Sequence, residues 1–293
     1  MLKKTKLALG LLVGLSPSFA EADFMPPNNL HLQDTILSSN VTEEEFNAAI
    51  ELVQDIYGPM IREVHGGRLR INGRWSNNTV NANASQFFGT WSVNMYGGLA
   101  RRPEVTLDGF TMVICHEMGH HMGGYPFIAN WAANEGQSDY YTTQICAKML
   151  WEDDLETNAS FAETVEPFPK ALCDDAWEIQ EDRNLCYRSM AAGKSLADLL
   201  AALKDENVAF DTPDLTVVDE MKDLHPDAQC RLDTYMAGAL CTAEFDFEAI
   251  PGKDLGSRRN SPQAEEIARS QSCSRLDEYK FGVRPLCWFK SKL

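Results

Sequence analysis

Apolar residues recur every third or fourth position from Phe46 through Ile50 and Val53 to Tyr57, the period of a helix with one buried face. Thr42-Glu43-Glu44-Glu45 opens this helix with acids in the first turn, where they meet the positive end of the helix dipole. Gly66-Gly67 ends the pattern, and the period then switches to alternation. Leu69 and Ile71 form one short run, and Val80, Ala82 and Ala84 a second. In the third, Trp91, Val93 and Met95 alternate with Ser92, Asn94 and Tyr96. The three runs predict a small antiparallel sheet. Its last strand leads into Gly97-Gly98, and as an edge strand it would rim a cleft and pair with an extended peptide.

Helical spacing returns after the sheet. Asp108 is a candidate N-cap for an apolar run of Phe110, Met112, Val113 and Ile114 that closes at Gly123-Gly124, as a buried helix does. A second helix is expected from Trp131 to about Leu150. Leu185–Met190 and Ser195–Leu203 carry further helical patterning, the latter with Ser195 as its cap, and Pro226 starts a helix that continues to about Cys241. The expected fold class is α+β, helix-dominated, with the small sheet preceding the helix that holds residues 116–120.

The head of the chain reads differently. Lys3, Lys4 and Lys6, an apolar stretch from Leu7 to Leu15 and the small-residue end Ser18-Phe19-Ala20 predict a secretory signal peptide over residues 1–20. Residues 21–40, with Pro26-Pro27-Asn28-Asn29, are expected to be a flexible leader. The main domain is then 41–250, followed by a cysteine-stapled C-terminal extension over 251–293. Beyond the signal stretch no apolar run is long enough to span a bilayer.

Charge and cysteine content narrow the functional classes. Loss of the first twenty residues would leave 23 basic against 43 acidic residues, a net of −20, and such a surface repels nucleic acid and anionic lipid. An exported chain with 8 cysteines should form disulfides, in the periplasm or outside the cell. A Cys115–Cys146 bridge would clamp the two helices on either side of Gly123-Gly124, and Cys173–Cys186 would staple a local pair. Cys230 and Cys241, about 16 Å apart if they share a helix, cannot reach each other, which leaves Cys273 and Cys287 as their partners.

The chemistry centres on Cys115-His116-Glu117-Met118-Gly119-His120-His121-Met122-Gly123-Gly124. On a helix, His116 and His120 project from one face at chelating separation, and Glu117 can reach a water in an open coordination position. This is the layout of a site for one Zn2+ ion. A third ligand three residues after Gly123 would be Pro126, which cannot bind metal. The next helix offers Glu135 as ligand instead, with Asp139 on the same face to hold a ligand imidazole from behind. His121 points about 100° away from the metal face and is expected to pack or lie at the surface. His31 and His65 lack companions, and the tail Arg284–Phe289 reads as core.

Three segments taken in order resemble the CaaX-prenyl-protease family of gluzincin metallopeptidases. These are His116-Glu117-x-x-His120, Glu135-x-x-x-Asp139, and His225-Pro226 followed by Arg231, a likeness that covers roughly residues 90–240. The resemblance implies a zincin-like fold with His116, His120 and Glu135 as zinc ligands, Glu117 as general base and Asp139 as support. It further implies His225 at the substrate carbonyl or oxyanion, and Arg231 paired with a carboxylate near the metal. The family's transmembrane helices have no counterpart here. The expectation is an exported zinc endopeptidase acting on polypeptides. A second expectation, from another class, is a zinc-stabilised binding or chaperone-like protein with little turnover.

Overall fold

The computed structural model describes residues 21–33, 40–274 and 278–293, so the expected signal peptide lies outside the described residues. Strand β1 spans Glu21–Asp23, helix α1 Glu43–Glu63, β2 Arg68–Arg74, β3 Ala82–Phe87 and β4 Thr90–Tyr96. A short turn of helix, α2, at Gly97–Ala100 leads to α3 at Leu107–Met122. Helix α4, Glu135–Tyr141, passes through a π-helical turn at Thr142–Cys146 into α5, Ala147–Trp151. Then follow α6 at Leu155–Ser160, α7 at Pro167–Ala176, α8 at Gln180–Ala202, α9 at Ala228–Leu240 and α10 at Pro262–Arg269. The fold is α+β and helix-dominated, as the periodicity implied.

The sheet departs from expectation in direction and order. Its strands lie in the order β1-β3-β4-β2, with β1 and β4 antiparallel to β3 and β2 parallel to β4. Alternating side chains define a strand and its buried face but not its neighbour or its direction. Direction is set here by the connections. A two-residue turn, Phe88–Gly89, with φ of 44° and 73°, folds β3 and β4 into a tight hairpin. Residues 75–81 carry the chain from β2 around the end of β4 to the start of β3. Arg101 pins that crossing, donating from Nη1 to the Trp75 carbonyl at 2.8 Å and from Nη2 to the Leu32 carbonyl at 2.8 Å. Strand β4 is therefore internal and cannot serve as the cleft rim.

Residues 21–25 are not a loose leader. Glu21–Asp23 add an edge strand to β3, and Phe24 and Met25 are fully buried. Two apolar side chains side by side outweigh the polar, proline-containing stretch after them, of which Pro26–Asn29 is exposed.

The helical expectations hold with local corrections. Thr42 and Glu45 close a reciprocal capping box at the start of α1, whose buried face carries Phe46, Ile50, Val53 and Tyr57. Thr106, not Asp108, caps α3, accepting from the Gly109 amide at 3.0 Å. Asp108 instead accepts from Arg188 through Nε and Nη2, at 2.8 and 2.9 Å. Helix α8 is continuous where two helices were expected. Ser195 sits in its middle, donating to the Glu104 carbonyl at 2.8 Å and accepting from the Thr106 amide at 3.0 Å. The helix after Gly124 begins at Glu135 rather than Trp131, because Asn134 caps it by accepting from the Gln137 amide at 2.9 Å.

Cys115–Cys146 and Cys173–Cys186 form as expected, and the two pairings left open resolve as Cys230–Cys287 and Cys241–Cys273. They suit a chain that folds in an oxidising compartment. The last two bind the C-terminal segment to α9, where Trp288, Phe289 and Tyr140 share a second apolar core. Trp288 and Phe289 of the C-terminal segment thus pack on the back of α4 and α9. No described helix is long and apolar enough to cross a membrane.

The Cys115–Cys146 bridge joins α3 to the π-helical turn across a separation of 31 residues. Replacing both cysteines with alanine is expected to lower unfolding free energy by about 2–4 kcal/mol. Urea denaturation of the metal-free protein checks this.

Candidate metal centre

Helix α3 is buried on every side from Gly109 to Met122, so its polar side chains must find partners inside the protein. One turn separates His116 from His120, and their rings meet edge to face at 4.8 Å. Helix α4 approaches this face closely because position 119 is glycine. A Cβ there would come within 2.8 Å of the Ser138 Cα. That close approach delivers Glu135, in the first turn of α4, to the two imidazoles. Its carboxylate oxygens lie 3.3 Å from His116 Nε2 and 3.6 Å from His120 Nε2.

The other nitrogen of each ring is committed elsewhere. His116 Nδ1 is 2.8 Å from Asp139 Oδ1. His120 Nδ1 is 2.9 Å from the Ala133 carbonyl and 3.0 Å from the Ser138 hydroxyl. With Nδ1 protonated to serve those acceptors, each Nε2 turns a lone pair toward Glu135. Both Nε2 atoms, Glu135 Oε2 and both oxygens of Glu117 are buried without a hydrogen-bond partner. These buried, unpartnered atoms face a common space, where a cation would satisfy them. His116, His120 and Glu135 offer ligand atoms within 4.8 Å of one another, so this buried group can hold a metal ion. Asp214, Cys230 and Cys287 also lie close together, but both cysteines are spent in a disulfide.

Behind the imidazoles stands a buried ion pair. Asp139 accepts from Arg231 through Nε and Nη2, both at 2.7 Å, from the Tyr235 hydroxyl at 2.6 Å and from His116. Arg231 is fully buried and rests over the Phe24 ring at 4.7 Å. Burial alone would raise the Asp139 carboxyl, but the Arg231 guanidinium and His116 hold it down at about 2. Burial likewise opposes charge on His116, yet the Asp139 carboxylate outweighs it and the ring lies above its ordinary value. His120 is pushed down by burial to about 4, against the opposing pull of the Glu135 carboxylate. Burial, reinforced by the Glu135 and Asp23 carboxylates, drives Glu117 well above the usual carboxylate range.

All seven residues singled out from the sequence converge here. His225 sits on the loop before α9, half-buried, with Nε2 3.6 Å from Glu135 Oε2 and 2.8 Å from the Asp23 carbonyl. His121 is a packing residue: its ring stacks on Trp91 at 5.3 Å and tilts against Trp131 at 4.9 Å. Sequence reasoning missed Tyr235, Ser138 and residues 21–25. Tyr235 follows Arg231 by one helical turn, and that spacing was a usable signal. No comparable pattern marks the other two. No known protein-family model matches the chain, and no curated protein or solved structure matches it significantly.

Because Asp139 titrates at about 2 when folded and near 3.9 when unfolded, its ionisation stabilises the fold above about pH 4. That contribution is lost as pH falls through 2. The stability gap between the native chain and Asp139→Asn should therefore be widest above pH 4 and close toward pH 2. A gap that does not depend on pH, in urea titrations across this range, would contradict the assignment.

Proposed function

We propose that this chain is an exported zinc endopeptidase, similar to the gluzincin metallopeptidases and using His116, His120 and Glu135 as ligands. The observation that carries this reading is the Glu117 carboxylate, buried beside the three ligands with neither oxygen bonded. A metal site kept only for stability has no use for such a group, since an unpartnered buried carboxylate is costly. A zinc ion in this setting polarises a carbonyl and lowers the pKa of water towards neutrality.

The chain's own residues supply the remaining steps. Glu117, buried beside the three ligands with both oxygens unbonded, is placed to take a proton from water and pass it to the departing amine. His225 Nε2 donates to a backbone carbonyl within reach of Glu135, the contact that stabilises a developing oxyanion. Arg231 and Tyr235 act through Asp139 to orient His116. Four disulfides and the acidic surface fit work outside the reducing cytoplasm.

Glu117→Gln should retain stoichiometric zinc while cleavage of unfolded protein falls by about 10²–10⁴-fold. His225→Ala should lower kcat with little change in zinc content. If the unmutated, zinc-loaded protein leaves a broad peptide library intact, the chain is instead a zinc-stabilised binding protein.

A further inference from the structure

The least expected feature of the centre is the polypeptide already lying across it. Residues Glu21–Asp23 pair with Ser85, Ala84 and Asn83 of β3, and the Phe24 amide continues the ladder to the Ala82 carbonyl at 3.0 Å. One side chain then grips both polar groups of the next residue. Asn81 accepts from the Met25 amide at 3.0 Å and donates to the Met25 carbonyl at 3.4 Å. The two carbonyls between these anchors are each held by a cationic or hydrogen-bonding side chain of the site. His225 Nε2 binds the Asp23 carbonyl at 2.8 Å, and Arg231 Nη1 donates to the Phe24 carbonyl at 2.8 Å.

The side chains agree with the backbone. The Phe24 ring meets His116 edge to face at 5.1 Å and lies under Arg231. Immediately after Met25 the chain emerges into solvent, and Pro26–Asn29 is exposed. Glu21–Asp23 are thus bound as a strand and Phe24–Met25 continue through a bend held by main-chain bonds, with one large apolar anchor, on a sheet edge beside a catalytic-type constellation. Strand addition with a side-chain pocket is how folded proteins take extended peptides.

We infer that Glu21–Met25 occupies the peptide-binding groove of this centre, standing where an extended polypeptide substrate lies. The segment blocks that groove, and the groove selects a large apolar side chain just after the bond presented to His225. The inference deepens the peptidase reading and rests on it for the word substrate. The groove itself is a matter of binding and can be tested apart from turnover.

A recognition sequence for a site-specific protease, inserted between the exposed Pro27 and Asn28, allows the cut to be made after folding, oxidation and zinc loading. The probe is a fluorescent peptide of sequence Glu-Ala-Asp-Phe-Met, followed by anisotropy, with circular dichroism to monitor the fold. The cut protein should exchange its own segment for the probe under native conditions, whereas the uncut protein should not bind it. A probe with alanine in place of phenylalanine should bind on the order of thirtyfold more weakly. Cleavage of unfolded protein should rise on cutting. If the probe binds while neither form cleaves anything, the groove stands and the peptidase reading falls. If the cut protein unfolds, or stays folded and never exchanges, Glu21–Met25 is a structural strand and the inference is overturned.

Discussion

A buried carboxylate and a buried guanidinium, Asp139 and Arg231, hold this structure to a single arrangement. Neither is exposed to water, and each would carry a heavy desolvation penalty alone. Their geometry offsets that penalty through two 2.7 Å contacts, with the Tyr235 hydroxyl and the His116 ring using the remaining acceptor capacity. Because Asp139 lies on α4, Arg231 and Tyr235 on α9 and His116 on α3, the pair sets the mutual positions of three helices. Removing one partner of such a pair costs about 3–5 kcal/mol, because the other is left charged in a dry interior.

Much of the surrounding architecture keeps those three helices together. Gly119 lets α4 approach α3, the Cys115–Cys146 bridge ties the far side of the same contact, and Cys230–Cys287 draws the C-terminal segment over α9. Trp288 then packs against Gly136, one residue beyond Glu135, where a Cβ would meet its ring at 2.2 Å. Rigid support of this kind keeps the candidate ligand atoms of His116, His120 and Glu135 within reach of one another.

The site was largely legible because its residues obey helical arithmetic. Histidines four apart share a face, as do Glu135 and Asp139, and reach along a helix excluded a Cys230–Cys241 bridge without deciding which partner each would take. What was not legible depends on contacts distant in sequence. The parallel pairing of β2 with β4 is decided by a seven-residue crossing pinned by Arg101, not by alternation within either strand. Ser195 resembles a cap but serves a loop some ninety positions away. Phe24 and Met25 were hidden by their polar, proline-containing neighbours, since two apolar residues carry no period. Their role appears only when β3 and the loop of His225 are brought to either side of them.

The central claim is that two imidazoles and one carboxylate bind a single zinc ion and leave a position open. X-ray absorption at the zinc edge of the purified protein addresses it most directly. The account predicts one zinc per chain, imidazole scattering from two histidines, and only nitrogen and oxygen neighbours at about 2.0–2.2 Å. A first shell with sulfur at about 2.3 Å, or protein that takes up no zinc, would contradict it.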